Sequence, residues 1–161
     1  MSDALVATTF RFEVTLQRVK SVTTGPETIG AGGFQECTGL EMEMEVNEVF
    51  EGGRNNGVVQ RAGRAKFPKL VLKRGMLHRP DEKADVTMWQ WIQDVVGGVR
   101  PLRRYDGEVK VLGFDHAVAA HWRFERGLPA KVVGPQLNAR TGEVAIEELH
   151  IAHEGLWLVT S

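Results

Sequence analysis

Cysteine is almost missing from this chain: of 161 residues, only Cys37 carries a thiol. One thiol cannot close an internal disulfide, and it cannot supply the thiolate cluster of a structural zinc site. The fold must therefore be held by packing, in a form suited to a reducing cytoplasm. No run approaches the ~18 uninterrupted apolar residues of a membrane-spanning helix. Met1 to Phe10 lacks the basic-then-apolar order of a secretory leader. Neither self-driven membrane insertion nor export by such a leader is expected. Net charge is nearly absent too, with 20 Lys and Arg against 21 Asp and Glu and a formal charge of -1. Global attraction to nucleic acid or to anionic membranes is thereby excluded, though not a local separation of charge.

What is present is ordinary for a folded domain: 42% apolar and 25% charged residues, far from the composition of disordered chains. A chain of this length buries roughly 70% of the surface that its unfolded form exposes. One domain over 1–161 is expected, with residues 1–9 as a flexible N-terminus and 19–33 as a long loop.

Phe10 to Leu16 alternates strictly, with Phe10, Phe12, Val14 and Leu16 on one face, which predicts a half-buried strand. Val19 to Gly33 is rich in Ser, Thr and Gly without either period and predicts a loop. Alternation returns from Glu41 to Phe50, with Met42, Met44, Val46 and Phe50 on one side and Glu41, Glu43, Glu45 and Asn47 on the other. Glu51 to Gly57 concentrates residues that tolerate positive φ and predicts a hairpin turn. Val58 to Gln60 and Lys66 to Lys73 predict strands, with Pro68 at an edge or bulge. One helix is expected, Val86 to Val96, capped by Asp85 or Thr87, with Met88, Trp89, Ile92, Val95 and Val96 as its apolar stripe and Gly97-Gly98 as its stop. Trp89 and Trp91 anchor it on a sheet. Glu108 to Leu112, Ala119 to Glu125, Ala130 to Val133 and Glu143 to Val159 complete a mainly β pattern, which suggests a barrel or sandwich.

Charge is sorted in blocks. Between Glu36 and Glu51 every ionisable group except Cys37 is a glutamate. From Arg54 to Arg79 every charged residue is basic: Arg54, Arg61, Arg64, Lys66, Lys69, Lys73, Arg74 and Arg79. Neighbouring strands can pair these charges across a sheet at a few tenths of a kcal/mol per pair. Alternatively, an acidic and a basic surface suit head-to-tail contact between copies, the kind that generates rings or filaments. A third use of the basic block, as a small nucleic-acid-binding module, finds little aromatic stacking surface beyond Phe67 and no helix-turn-helix, zinc or RNA-binding signature.

No catalytic constellation recurs. Gly52-Gly53 and Gly57 lack the Gly-Lys-Ser/Thr ending of a phosphate loop, and Gly25, Gly30, Gly32 and Gly33 miss the dinucleotide spacing. His150 and His153, an odd number of residues apart, fall on opposite faces of a strand. His116 and His121 flank a turn. Glu147, Glu148 and Glu154 stand near strand ends without a nucleophile beside them. No enzyme activity, cofactor or metal is expected.

The ordered motifs are Gly33-Phe34-Gln35-Glu36-Cys37-Thr38-Gly39-Leu40, Glu51-Gly52-Gly53-Arg54-Asn55, Leu70-Val71-Leu72-Lys73-Arg74-Gly75, Trp89-Gln90-Trp91, Trp122-Arg123-Phe124, Ala145-Ile146-Glu147 and His153-Glu154-Gly155. Together, from about Phe10 to Val159, the chain resembles the tail tube protein family of contractile phages and extracellular contractile injection systems. The resemblance implies an Hcp-like fold, two packed antiparallel sheets forming a small barrel with one flanking helix. It also implies a structural subunit of the inner tube, assembled as a homo-hexamer whose rings stack around a lumen. Sheath subunits and baseplate or hub proteins are the implied partners, with cargo or DNA passing through the lumen. It further implies a phage tail or extracellular injection particle assembled from protein made in the bacterial cytoplasm. The resemblance assigns the hairpin from Glu41 to Gln60 to ring and stacking contacts. Together with the charge blocks it marks Glu41, Glu43, Glu45, Glu48, Glu51, Arg54, Asn55, Arg61, Arg64 and Arg74 as the expected assembly interface. The loop at 19–33 and the insert at 78–85 depart from the family pattern and suit an alternative role, the tube-initiator ring at the baseplate.

Overall fold

A computed structural model describes residues 11–19, 28–29, 33–53, 55–76 and 85–160. The expected flexible N-terminus, most of the 19–33 loop and nearly all of the 78–85 insert lie outside the described residues. The elements are β1 (Phe12–Arg18), β2 (Thr28–Ile29), β3 (Glu36–Thr38), β4 (Glu43–Val49), β5 (Val59–Lys66), β6 (Leu70–Gly75), α1 (Thr87–Val96), β7 (Tyr105–Leu112), β8 (Val118–Val133), β9 (Ile146–Ala152) and β10 (Gly155–Leu158). All strand pairings are antiparallel.

One eight-stranded sheet runs in the order β2-β1-β7-β8-β9-β6-β3, with β10 added beside β8. It makes two layers because β8 belongs to both. The first part of β8 pairs with β7 and β10, and the last part pairs with β9. Between Tyr105↔Gly127 and Gly107↔Phe124 the register slips, leaving two β8 residues opposite one of β7. At this bulge Arg126 takes φ 51, and its N–H donates to Asp106 Oδ1 at 2.9 Å. A bulge bends and twists a strand, and here it carries β8 from one layer to the other. Gly127 permits the bend, since a Cβ there would meet the Tyr105 carbonyl oxygen at 2.8 Å. The sequence predicts two strands, at 119–125 and 130–133; the bulge joins them into one of sixteen residues. The expected closure into a small barrel is not found, because the strand order ends at β2 and β3, which do not pair with each other.

Leu16, Val109, Phe124 and Leu156 from the first layer, and Leu70, Leu72, Leu149 and Ile151 from the second, are buried. Their alternation along each strand is the period-two pattern of a sheet with one face on a core. The helix adds Met88 and Trp91. Trp91 Nε1 donates to the Arg103 carbonyl at 2.9 Å, and its ring meets Tyr105 edge-on at 4.7 Å. Asp85 Oδ1 accepts from the Thr87 N–H at 3.0 Å and the Thr87 hydroxyl at 2.8 Å, satisfying one amide that a helix start leaves open; the cap position is Val86, with no side-chain capping bond, so the expected cap residues Asp85 and Thr87 flank it instead. Val96, expected in the buried stripe, is 81% exposed. Pro68 falls between β5 and β6, so the strand expected over 66–73 starts only at Leu70. Strand structure expected from Glu143 starts at Ile146 and breaks at His153-Glu154.

Candidate assembly interface

β4 and β5 form a two-stranded sheet of their own. Its register runs from Glu43↔Lys66 at the base to Val49↔Val59 toward the turn, with a bulge between Met44 and Val46. Every residue of β4 except Val49, and of β5 except Val59, is exposed. Alternation and register place Glu43, Glu45 and Asn47 with Arg61 and Lys66 on one face. Met44, Val46 and Glu48 share the other with Gln60, Ala62 and Ala65. Met42 and Phe50 extend this apolar row, and Met42, Met44, Val46 and Phe50 are 60, 49, 56 and 81% exposed. A two-stranded hairpin with water on both faces is marginal alone, and an exposed apolar row, broken only by Glu48, marks a contact surface.

The expected interface residues divide in three. Glu41, Glu43, Glu45, Glu48, Glu51, Asn55, Arg61 and Arg64 lie exposed on or beside this hairpin. Arg54 lies outside the described residues. Arg74 is the correction: its side chain is 0% exposed. On β6 it follows Leu70 and Leu72 on the inward face. Its Nε donates to Glu147 Oε1 at 2.8 Å and its NH1 to Asp85 Oδ2 at 3.1 Å. Glu147, also buried, accepts from Trp89 Nε1 at 3.2 Å through its other oxygen. The guanidinium lies 5.9 Å from the Phe34 ring centroid. Arg74 therefore ties the helix start to the second layer and is not available to another copy.

The acidic and basic blocks are likewise not two opposite surfaces. β4 and β5 lie side by side, so much of each block shares one hairpin face. Lys66 Nζ reaches Glu45 Oε2 at 3.9 Å with both side chains about half exposed, a pair worth at most ~1 kcal/mol. Gln60 Nε2 donates to Glu48 Oε1 at 3.5 Å. Arg61 and Arg64 make no ion pair among the described residues. Elsewhere Lys73 bridges Glu36 at 3.3 Å and Glu148 at 3.6 Å on the outward side of the second layer. His150 turns outward to Glu148 at 3.1 Å. His153 instead lies past the end of β9, with its ring centroid 5.7 Å from those of Phe67 and Phe124, so the two histidines do not converge.

The family model described as T4-like virus tail tube protein gp19 matches residues 8–157. The chain belongs to that family. The fold of this tail tube protein is similar to that of a chain in the cryo-EM structure of the anti-feeding prophage cap, described as a tube terminating cap, with TM-score 0.76, 18% identity and coverage of 100% of this chain and 95% of that one. It is similar to a chain in the extended sheath-tube complex of the extracellular contractile injection system PVC, with TM-score 0.74, 16% identity and coverage of 97% and 93%. It is also similar to one in the anti-feeding prophage baseplate, with TM-score 0.71, 20% identity and coverage of 99% and 97%. No curated protein sequence matches the chain. In this tail tube protein, sequence reasoning found the apolar row of β4 but not that both hairpin faces are bare. It also placed Arg74 in the charge block, although the alternation Leu70, Leu72, Arg74 carried the signal that it points inward.

Proposed function

We propose that this tail tube protein is a non-enzymatic, single-domain building block that closes into hexameric rings, which stack into a hollow tube. The bare hairpin carries this reading. It displays an apolar row on one face and a mixed acidic and basic row on the other, and burial between copies removes the first from water while charge pairing sets the register of the second. Glu41, Glu43, Glu45, Glu48, Glu51, Arg54, Asn55, Arg61 and Arg64 are the proposed contact residues. Sheath and baseplate proteins are the proposed outer and terminal partners, and the proposed location is a phage tail or extracellular injection particle. Fold likeness to a baseplate chain and to a sheath-tube chain alike keeps a bulk-tube and an initiator ring within one architecture.

Negative-stain electron microscopy over a concentration series tests ring closure. Six-fold rings or tubes are expected, and Glu43→Lys with Glu45→Lys is expected to shorten tubes while the subunit stays folded. Monomeric particles at every concentration would overturn the reading, and unchanged tube length in the charge-reversed variant would remove the acidic row from it.

A further inference from the structure

His153 is a polar ring set among aromatic ones. It stands in the turn between β9 and β10, which the Glu154 N–H ties to the Glu125 carbonyl of β8 at 3.0 Å. Its ring centroid lies 5.7 Å from that of Phe124, in the core, and 5.7 Å from that of Phe67. Both ring nitrogens are buried, and neither has a hydrogen-bond partner among the described residues. Phe67 is the first residue after β5, so this contact sits where the bare hairpin leaves the body, and Trp157 adds a second ring against Phe67 at 6.0 Å. The other leg is held at the same place: Gly39, at φ 91, brings its backbone so close to the Lys69 carbonyl that a Cβ would overlap it. Among the described residues β4 and β5 pair only with each other, so these two legs set the pose of the whole hairpin.

A neutral imidazole whose N–H lacks a partner already costs stability. A protonated one has two such donors and a charge against aromatic carbon, which costs far more. Charged groups on the surrounding elements do not offset this. Lys66 reaches Glu45 at 3.9 Å, Glu154 holds Arg126 at 2.8 Å and Arg104 at 3.7 Å, and His150 turns outward to Glu148 at 3.1 Å. Lys69, Arg123 and Glu125 are exposed. Burial accordingly pushes the His153 pKa below its ordinary 6.5, with the nearby Pro68 and Gly155 backbone favouring the charged ring less strongly. A protonated ring gains by moving into water, and a ring that leaves removes the surface on which Phe67 packs. We propose that His153 is a proton-operated latch on the hairpin: the neutral ring holds the Phe67 leg in place, and the protonated ring frees it. The latch belongs to the single subunit; only its consequence, weaker assembly in acid, rests on the ring-building reading.

The test is amide hydrogen exchange of β4 and β5 in the full-length protein at pH 7.5 and 5, below the concentration at which rings form and corrected for intrinsic exchange. Light scattering at the same two pH values finds the concentration at which assembly begins. This window leaves an ordinary carboxylate mostly ionised. Hairpin exchange is expected to quicken in acid while that of β7 and β9 does not. The assembly threshold rises about threefold if the held pose falls to about a third of the population. His153→Phe should keep the hairpin slow and the threshold flat at both pH values, Phe67→Ala should free the hairpin already at pH 7.5, and His150→Gln should leave the acid response intact. Acid-quickened exchange that His153→Phe abolishes, with no rings at either pH, would uphold the latch and sink the ring reading. No acid response in the parent protein, or one that survives in His153→Phe, would overturn the latch whatever tubes form.

Discussion

Arg74 and Glu147 are cross-strand partners on β6 and β9, joined at 2.8 Å with neither side chain exposed. Two charges taken out of water gain little net stability as a pair, but removing Glu147 leaves the buried Arg74 with Asp85 as a remaining carboxylate at 3.1 Å, at a cost of up to about 3–5 kcal/mol. Glu147→Leu is therefore expected to destabilise the unassembled subunit by that order in urea unfolding. The double variant Arg74→Met with Glu147→Leu should recover much of the loss. Equal destabilisation of single and double variants would show that the charge itself is not what matters.

His153 gives the subunit a pH dependence. Burial lowers its pKa below the ordinary 6.5, outweighing the backbone groups of Pro68 and Gly155 that favour the charged ring. The unfolded chain then takes up a proton at a pH where the folded one does not. Stability is full above the unfolded value and falls as pH drops from there through the lowered folded value. Because Phe67, next to β5, packs against this ring at a tilt of 52°, the base of the hairpin should loosen over the same window. Thermal unfolding between pH 7.5 and 5 is expected to show the decline, and His153→Phe to flatten it.

Asp85 works in the same direction at lower pH. Burial alone would raise its pKa, but the Thr87 amide and hydroxyl and the Arg74 guanidinium hold it below its ordinary 3.8. Its contribution persists above the unfolded value and is lost as pH falls through the folded one. Asp85→Asn should lose the acid-dependent step in helix circular dichroism while keeping the side-chain oxygen that accepts from Thr87.

Gly107 lies under the Phe124 ring, and an added Cβ would overlap that ring and crowd Leu16. Phe124 and Leu16 are both fully buried, so neither can swing away. Gly107→Ala is expected to cost about 1–3 kcal/mol, read as a lowered urea midpoint with an unchanged slope.

The exposed row separates folding from assembly. Met44→Ser with Phe50→Ser removes side chains that the subunit leaves 49 and 81% exposed, so its unfolding should change by less than about 0.5 kcal/mol. Rings and tubes should nevertheless disappear from negative-stain fields. A matching drop in subunit stability would place these side chains in the subunit's own core.

Much of the architecture was legible because short strands wrote their period into the chain: Phe12, Val14 and Leu16 on β1, and Leu70 and Leu72 on β6. The helix was legible from its apolar stripe and its Trp89 and Trp91 anchors, though its cap position fell on Val86 and not on Asp85 or Thr87. β8 was not, because Gly127 and Pro129 signal a break and only the bulge geometry shows that pairing continues through them. On β4 the period gave two faces without saying what covers each: alternation records which residues share a side, not whether a partner or the subunit's own core lies opposite.

A strand shared by both layers also has a mechanical meaning. Tension along β8 travels through sixteen residues of covalent backbone, whereas two layers joined only by loops would pass it through the softest segments of the chain. Pulled apart, the layers must straighten the Arg126 bulge before they can separate. The subunit should therefore yield as one stiff body when a tube built from it is pushed end-on.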